Sequence, residues 1–521
     1  MKRLLQFCIL SSFFLLNACK TSQPGTTRKD DGKIDLVLVQ VNDVYEIAPL
    51  SGGKEGGMAR VATLKKELLR NNPNTFLFMA GDFVSPSIYN SLQHEGKAIR
   101  GKQMIEAMNA AGVDFVVPGN HEFDIRETEL QDRINESKFV WIATNTFHKK
   151  GSEIQPFAKT NEPYSPFPKY KIIPVSDADG TTARIAIIGL TLPANKADYV
   201  HYTDVIAETK TTYNLLKDSA DAIIALTHQF VAEDIQLARE VPGLALIMGG
   251  HEHDQQFRKV GKVFVTKAHS NARSAYVVRM QVNKKTGKVK VNPELRYINQ
   301  TIALDSAADV VVQKWISIAE NSFSASGFDA RKIVLSKGEP LEGRETEIRH
   351  RSTNLTRLVV AAMEDAAPAA DLALLNSGSI RVDDILQLPV SQYDILRALP
   401  FGGALREADI KGSLLQQVLT AGKGNKGNGG FLQYSQTVTS DASTGDWLYK
   451  GAPILPEKIY RVVMSDYLFS GRETNLTFLN ATNAAVVKAY AVEKDLTQAT
   501  SDIRLAIVRY LQKKQDKETG E

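Results

Sequence analysis

The sequence predicts an α/β protein of two domains, and three observations support this prediction. The chain has 521 residues, more than one hydrophobic core usually organises. Between residues 34 and 248, short apolar runs alternate with amphipathic segments, as strands and helices do in a layered α/β domain. Beyond residue 345, a second set of helix and strand patterns begins, which indicates a separate α+β region.

The elements of the first domain follow one another along the chain. Strands are predicted at 34–41, 75–80, 113–117, 139–144, 185–190, 222–227 and 244–248. Helices are predicted at 58–70, 101–111, 127–136, 208–219 and 231–240. A strand pair, 276–283 and 289–298, flanks the turn sequence Asn-Lys-Lys-Thr-Gly-Lys, so we expect a hairpin and a domain boundary near residue 300.

The rest of the chain is predicted to form a connecting region, 301–345, and a second domain, 346–515. The connecting region contains a predicted helix at 306–322, and a helix at 353–366 precedes an apolar strand at 371–376. A further helix is predicted at 405–420. The glycines of 422–427 have the spacing of a dinucleotide-binding fingerprint, but they follow a helical pattern where that fingerprint requires a strand, so we expect a flexible loop.

The N-terminus has the pattern of an export signal. Residues 1–18 join a basic start, a short apolar run and a small residue before Cys19. The sequence Leu-Asn-Ala-Cys resembles the lipobox of bacterial lipoproteins, which implies cleavage before Cys19 and its lipidation. Residues 19–33 then form a tether to the cell membrane or outer membrane, facing periplasm or exterior. The alternative is that Cys19 is an incidental residue of a cleaved signal.

Composition restricts the partners. The formal net charge is only +4 at pH 7, which does not indicate a nucleic-acid polymer as partner. Cys8 would leave with the signal, so the mature chain has no pair of cysteines for a disulfide. The sequence leaves the oligomeric state open.

Residues able to bind metal follow the predicted strands at the points where those strands end. They are Asp43, Asp82, Asn120 and His121 in Gly-Asn-His-Glu, His228, and His251 and His253 in Gly-Gly-His-Glu-His. Because the carboxyl ends of strands in an α/β sheet meet in one crevice, we expect these side chains to be neighbours. Carboxylates can bridge two divalent ions, while imidazoles and an amide oxygen complete the coordination. The pattern predicts a two-metal centre that hydrolyses phosphate esters.

This order of motifs resembles the calcineurin-like metallophosphoesterases, and nearly the whole mature chain resembles the 5'-nucleotidase and UDP-sugar hydrolase family. The resemblance implies a four-layer α/β/β/α sandwich for residues 34–300 and a C-terminal α+β domain that binds substrate. One ion would be held by Asp43, Asp82 and His253, and the other by Asp82, Asn120, His228 and His251. His121 would be the catalytic histidine, oriented by Asp124. The ions would be zinc, manganese, magnesium or cobalt.

Tyr45 departs from the family pattern, in which Asp-x-His stands where this chain has Asp43-Val-Tyr45. A tyrosine can ligate ferric iron, but its high pKa makes it a poorer ligand for zinc or magnesium. Either Tyr45 binds metal, which makes iron a candidate, or a water or another residue fills the place. A third possibility is a weak first site in a protein that has become a binder.

The second domain is expected to select the substrate. By resemblance, its candidate residues are Arg351, the loop Asn376-Ser-Gly378-Ser-Ile-Arg381, Phe401 in Pro-Phe-Gly-Gly, Tyr467 and Glu473. A guanidinium group recognises phosphate, and an aromatic ring can stack on a base. The alternative for Phe401 is core packing. Tyr467 and Glu473 stand in an altered version of the family's Gly-Gly-Asp-Gly segment, so base preference is open.

The sequence therefore predicts an exported phosphoesterase that hydrolyses nucleoside 5'-phosphates. One alternative is an enzyme of other specificity, such as a phosphatase or a UDP-sugar or cyclic-nucleotide hydrolase. The other is a surface lipoprotein that binds without catalysis.

Overall fold

The computed structural model describes residues 30–194 and 197–519. Among these residues, the first domain contains two six-stranded sheets. The strands of the first sheet lie in the order Lys288–Tyr297, Ser274–Asn283, Lys33–Val41, Thr75–Ala80, Phe115–Val117 and Val140–Trp141. Those of the second lie in the order Tyr170–Ser176, Thr182–Thr191, Ala222–His228, Leu246–Gly250, Val263–Lys267 and Gln256–Val260.

Alternation of side chains along the strands produces the layers of the first domain. In the strand Lys33–Val41, Ile34, Leu36 and Leu38 enter an apolar core shared with the second sheet. Val37, Val39 and Val41 point to the opposite face and pack with the helices Met58–Asn71, Lys102–Ala111 and Glu127–Glu136. The helices Val205–Leu216 and Val231–Glu240 cover the outer face of the second sheet. The predicted four-layer α/β/β/α sandwich is confirmed.

Parallel pairing aligns the ends of the strands that matter for the site. The strand Lys33–Val41 is parallel to Thr75–Ala80, which is parallel to Phe115–Val117. In the second sheet, Ala222–His228 is parallel to Leu246–Gly250. The turns that follow these strands therefore share one edge of the sandwich.

Shorter strands extend the first domain. Thr146–Lys150 pairs with Glu153–Gln155 and Val200–Tyr202, and two further ribbons join Ala158–Lys159 to Ser165–Pro166 and Gln93–His94 to Lys97–Ala98. The sequence did not predict these segments, because strands of two to five residues show little periodicity.

The second domain is built on a five-stranded sheet. Its strands lie in the order Leu432–Tyr434, Leu372–Asn376, Ile459–Ser465, Leu405–Lys411 and Val486–Ala489. Its helices are Glu345–Ile348, Asn354–Ala366, Gln392–Ala398, Gly412–Gly424, Asp466–Phe469 and Ile503–Thr519. Short pairs complete it: Ile333–Leu335 with Val390–Ser391, Leu341–Glu342 with Ile385–Leu386, and Trp447–Tyr449 with Val438–Ser440 and Ala452–Pro453.

The prediction of a helix at 405–420 is wrong for the first half of that range. Residues 405–411 form a strand inside the sheet, and the helix begins only at Gly412. Leu405, Ala408 and Ile410 are buried, and strands pair with this segment on both sides. The apolar residues are spaced as in a helix from the strand into the following helix, but pairing with two neighbouring strands makes residues 405–411 a strand. The helix also includes Gly422 and Gly424, so these two glycines are not in a loop.

Other boundaries differ by a few residues. The helix predicted at 208–219 occupies Val205–Leu216, because the Asp204 side chain caps it by accepting the backbone N–H of Ala207 at 2.7 Å. The predicted signal peptide, Cys19 and most of the tether lie outside the described residues. Within the described part of the chain, no helix has both the length and the apolar character needed to cross a bilayer.

The connecting region packs on the first domain through the helix Ser306–Ala325. Its buried face contains Ala308, Val312, Trp315, Ala319 and Phe323, a helical spacing of three and four. Trp315 is fully buried, and its ring N–H donates to Glu106 at 2.9 Å.

We expect Trp315→Ala to lower the free energy of unfolding by about 3–5 kcal/mol, because it removes a large buried side chain. The matched control is Val310→Ala on the same helix, where the side chain is 70% exposed and the change should stay below about 0.5 kcal/mol. Urea denaturation followed by circular dichroism measures both. Equal effects of the two substitutions would contradict the packing of this helix.

Candidate metal centre

The candidate ligands meet at the edge where the parallel strands of both sheets end. Asp43 and Asp82 each lie two residues beyond a strand of the first sheet, and His228 is the last residue of a strand of the second. One ligand atom from each of Asp82, His228 and His251 lies within 4.8 Å of the others. The structure thus brings together side chains that are far apart in the sequence.

Two buried polar atoms in this cluster lack a hydrogen-bond partner among the residues that the structure describes. They are Asn120 Oδ1 and His228 Nε2, and His228 Nε2 lies 3.1 Å from Asp82 Oδ2 without the geometry of a hydrogen bond. His228 Nδ1 lies 2.8 Å from the carbonyl oxygen of Ala80, which holds a proton on Nδ1 and directs Nε2 into the cluster. Burial lowers the pKa of His228, but the carboxylates of Asp82 and Asp43 outweigh it and raise the pKa to about 9, so a divalent cation would bind in place of the proton on Nε2. Unpaired buried polar atoms are costly, and a divalent cation would give both a partner.

His251 completes this group as a neutral imidazole. Burial, and then the neighbouring His228, lower the pKa of His251 to about 3. Its backbone N–H donates to Asp43 at 2.9 Å, and the ring contacts Phe230 edge to face. The neutral ring is the form that ligates metal, so the residues present fit a divalent ion.

Asp43 and His253 lie beside this group. Asp43 is fully buried, and its Oδ1 lies 3.6 Å from His253 Nε2 and 4.0 Å from His228 Nε2. Asp82 lies between the two sets of residues. The two ligand sets that share Asp82 stay a prediction.

Tyr45 lies inside the same cluster. Its hydroxyl is 3.0 Å from His253 Nε2 and donates to Asp82 Oδ2 at 3.2 Å. Burial, and then the carboxylates of Asp82 and Asp43, raise the pKa of Tyr45 well above its usual value. The raised pKa favours the neutral phenol, which contacts two candidate ligands.

His121 and Asp124 form the predicted pair. His121 Nδ1 lies 2.6 Å from Asp124 Oδ2, and the backbone N–H of His121 donates to Asp82 at 2.9 Å. Burial lowers the pKa of His121, but the charges of Asp82 and Asp124 outweigh it and leave the pKa raised. The imidazole therefore keeps a proton at the mouth of the centre, where its side chain is 26% exposed.

Two buried charges that the sequence analysis missed fix the ligand turns. Glu122 accepts the backbone N–H groups of Asp82, Phe83, Val84 and Gly119 at 2.6–2.9 Å. Lys267 Nζ donates to the carbonyl oxygens of Gln229 and Gly250 and pairs with Asp234 and Glu252. Glu122 was visible in the Gly-Asn-His-Glu motif, whereas Lys267 is the last residue of the strand Val263–Lys267 and has no motif around it.

The second domain brings only part of its predicted residues to this centre. Arg381 lines a narrow cavity with Tyr45 and Pro400, between the two domains. Arg351 is largely exposed and donates to Glu347 at 2.7 Å. Gly378 approaches Gly429 closely, with a hydrogen bond of 2.7 Å between their backbones.

Asn376 and Glu473 contact each other. The Asn376 amide donates to Glu473 at 2.6 Å and accepts from Ser379 at 2.7 Å, and Asn376 and Glu473 are both buried. In this arrangement, the pair braces the loop that carries Arg381. The sequence predicted that both residues bind substrate, but it could not show that their side chains contact each other.

The two predicted stacking rings are accessible. Phe401 is 69% exposed and Tyr467 is 48% exposed. The alternative that Phe401 packs in the core is therefore wrong. An exposed aromatic ring at a domain boundary is available to a ligand.

Two family models match the chain. The calcineurin-like phosphoesterase model matches residues 36–255, and the 5'-nucleotidase C-terminal domain model matches residues 333–480. Fold and site together define a metallophosphoesterase, a class that implies divalent metal ions. The chain belongs to the two-domain 5'-nucleotidase family, in which that catalytic domain precedes the 5'-nucleotidase C-terminal domain.

Individual relatives agree over most of the chain. The silent protein UshA(0) of Salmonella typhimurium is 26% identical, with 90% of this chain and 91% of the relative covered. The 5'-nucleotidase of Bos taurus is 25% identical, with 80% and 78% covered. The crystal structure of a 5'-nucleotidase precursor from Thermus thermophilus shares the fold, with a TM-score of 0.66, 23% identity and coverage of 92% and 96%.

We expect Tyr45→Phe to bind as many ions as the wild type, because the Tyr45 hydroxyl contacts ligands and need not be one. Tyr45→His should bind Mn²⁺ more tightly, because an imidazole adds a ligand. Isothermal titration calorimetry and elemental analysis after gel filtration measure affinity and stoichiometry. Loss of an ion in Tyr45→Phe, or a visible tyrosinate-to-iron band in the wild type, would show that Tyr45 is a ligand.

Proposed function

We propose that this phosphoesterase hydrolyses nucleoside 5'-monophosphates. The observation that supports the proposal most strongly is the position of Arg381 and the Phe401 loop. Arg381 and Pro400, next to Phe401, line a cavity with Tyr45 at the edge of the cluster of candidate ligands. A phosphate at the cluster would therefore have a guanidinium group and an aromatic ring within reach of the rest of the nucleotide.

We propose two ion positions that share Asp82. Asp43, Asp82 and His253 would hold one ion, and Asp82, Asn120, His228 and His251 would hold the other. Divalent ions in these positions would neutralise charge on a phosphoryl group and make water a better nucleophile at neutral pH. Zinc, manganese, magnesium and cobalt all accept such oxygen and nitrogen ligands.

His121 would act on the leaving group. Asp124 holds Nδ1, so Nε2 is the ring nitrogen available to donate a proton or hydrogen bond to the ester oxygen. Asp124 also accepts from Ser85 at 3.2 Å, which fixes the carboxylate and hence the plane of the ring. The raised pKa favours the charged imidazole, which would stabilise negative charge that develops on the leaving oxygen.

The wild type loaded with Mn²⁺ should hydrolyse AMP and other nucleoside 5'-monophosphates faster than UDP-glucose, cyclic nucleotides and an aryl phosphate, and EDTA should abolish the activity. His121→Ala should lower kcat by about 10²- to 10⁴-fold while the ion content stays unchanged. Released phosphate measures the rates. Activity on aryl phosphate alone would contradict the nucleotide assignment, and no activity at all with full metal loading would favour a binding protein.

The substitution Phe401→Ala, measured in the same phosphate-release assay, tests base recognition. If the ring stacks on the base, the KM for AMP rises by about 5- to 100-fold, as expected for about 1–3 kcal/mol of stacking, while the kinetics on aryl phosphate stay the same. Tyr164→Ala, which removes another exposed ring, is the control and should change neither substrate. An unchanged KM for AMP in Phe401→Ala would remove this residue from the binding site.

We further propose that the protein is exported and anchored by lipidation of Cys19. The support is the signal pattern of residues 1–18 followed by Leu-Asn-Ala-Cys. In a bacterial host, the wild type should fractionate with membranes and Cys19→Ala should not, because only the cysteine thiol can accept the lipid. Equal partition of the two proteins would contradict the anchor.

A further inference from the structure

One side chain of the second domain contacts a candidate metal ligand of the first domain. Asp383 Oδ2 lies 2.6 Å from Nδ1 of His253. Asp383 follows the loop that carries Arg381, and its other oxygen accepts the backbone N–H of Glu345 at 2.6 Å. Its backbone is in the left-handed region, with φ at 37°, a conformation that residues other than glycine seldom adopt. The carboxylate is thus held firmly against the ring.

This contact determines how His253 presents its other nitrogen. A carboxylate beside Nδ1 keeps the proton there and fixes the ring plane. Nε2 then faces Tyr45 at 3.0 Å and Asp43 Oδ1 at 3.6 Å, toward the first proposed ion position. Without Asp383, the ring could exchange its tautomer and rotate.

His228 provides the comparison within the same centre. Its Nδ1 is held by the carbonyl oxygen of Ala80, which belongs to the first domain. The orientation of His228 therefore depends on its own domain, whereas that of His253 depends on the second domain.

Further contacts cross the boundary at the same place. Asp384 accepts from Arg273 at 2.7 Å, and Arg344 lies 3.7 Å from Asp254, the residue after His253. The segment that carries His253 is therefore contacted by side chains of the second domain at successive residues.

We propose that Asp383 is a positioning residue through which docking of the second domain strengthens ion binding at the position formed by Asp43, Asp82 and His253. The inference rests on the proposed two-ion centre. Because Tyr45 stands where an imidazole would add a ligand, that position depends more heavily on the orientation of His253. By linkage, an ion bound there also stabilises the docked arrangement.

The test measures Mn²⁺ binding to the full-length chain without its signal peptide, in the absence of any substrate. Asp383→Ala should weaken one of the two ions by about 10- to 100-fold, the usual effect of losing an orienting carboxylate, and leave the other unchanged. Asp383→Asn should weaken the same ion less, since an amide oxygen can still accept from Nδ1. Isothermal titration calorimetry gives both affinities, and thermal melts followed by circular dichroism verify folding.

The matched control is Asp384→Asn, which removes an ion pair across the same boundary without touching a ligand. It should bind both ions as the wild type does. Wild-type affinities in both Asp383 variants, or an equal loss in Asp384→Asn, would overturn the proposal. Because no substrate is present, the result is independent of the nucleotidase assay: a wild type that binds two ions but hydrolyses no nucleotide leaves this test intact.

Discussion

Two buried ionisable side chains, Glu122 beside the first sheet and Lys267 in the second, fix the turns on which the rest of the centre depends. Glu122 collects backbone N–H groups from the turns after Thr75–Ala80 and Phe115–Val117, so it locks Asp82 against Asn120. In the second sheet, Lys267 donates hydrogen bonds to the backbone carbonyl oxygens of the residues next to His228 and His251. Burying a charge is unfavourable unless many partners compensate it, and the dense hydrogen bonding at both residues meets that requirement. Loss of either charge would release two ligand-bearing turns together.

These turns also hold strained backbone. Asp43, Asp82 and His251 have φ values of 51°, 56° and 86°, a region that side chains other than glycine seldom adopt. The strain is tolerated because the surrounding hydrogen bonds determine the conformation, and it directs all three side chains toward one point. Glycines give the space: a Cβ at Gly119 would lie 2.1 Å from Asp82 Oδ1, and one at Gly250 would lie 2.1 Å from the Ala80 carbonyl oxygen.

The sequence predicted most of the first domain and the position of the centre, because strand periodicity and strand-end ligands are both local signals. It could not predict what depends on contacts between distant segments. The strand at 405–411 was interpreted as helix because only its two neighbouring strands distinguish it. Lys267 and Asp383 were missed since nothing near them in the sequence shows that one faces two carbonyl oxygens and the other a histidine of another domain. The exposure of Phe401 likewise required the fold.

The two domains differ in how freely their functional residues can be substituted. In the first domain, the candidate ligands lie in turns fixed by buried hydrogen bonds, and three of them have strained backbone, so a substitution there disturbs folding and chemistry together. Tyr45 is tolerated because its hydroxyl gives Asp82 and His253 a hydrogen-bond partner at the position that a metal ligand would occupy. In the second domain, Phe401 and Tyr467 project into solvent and contribute little to stability, so their replacement costs the fold little. On the proposed function, the buried centre would set the reaction chemistry, and exposed loops that can vary without unfolding the protein would set substrate preference.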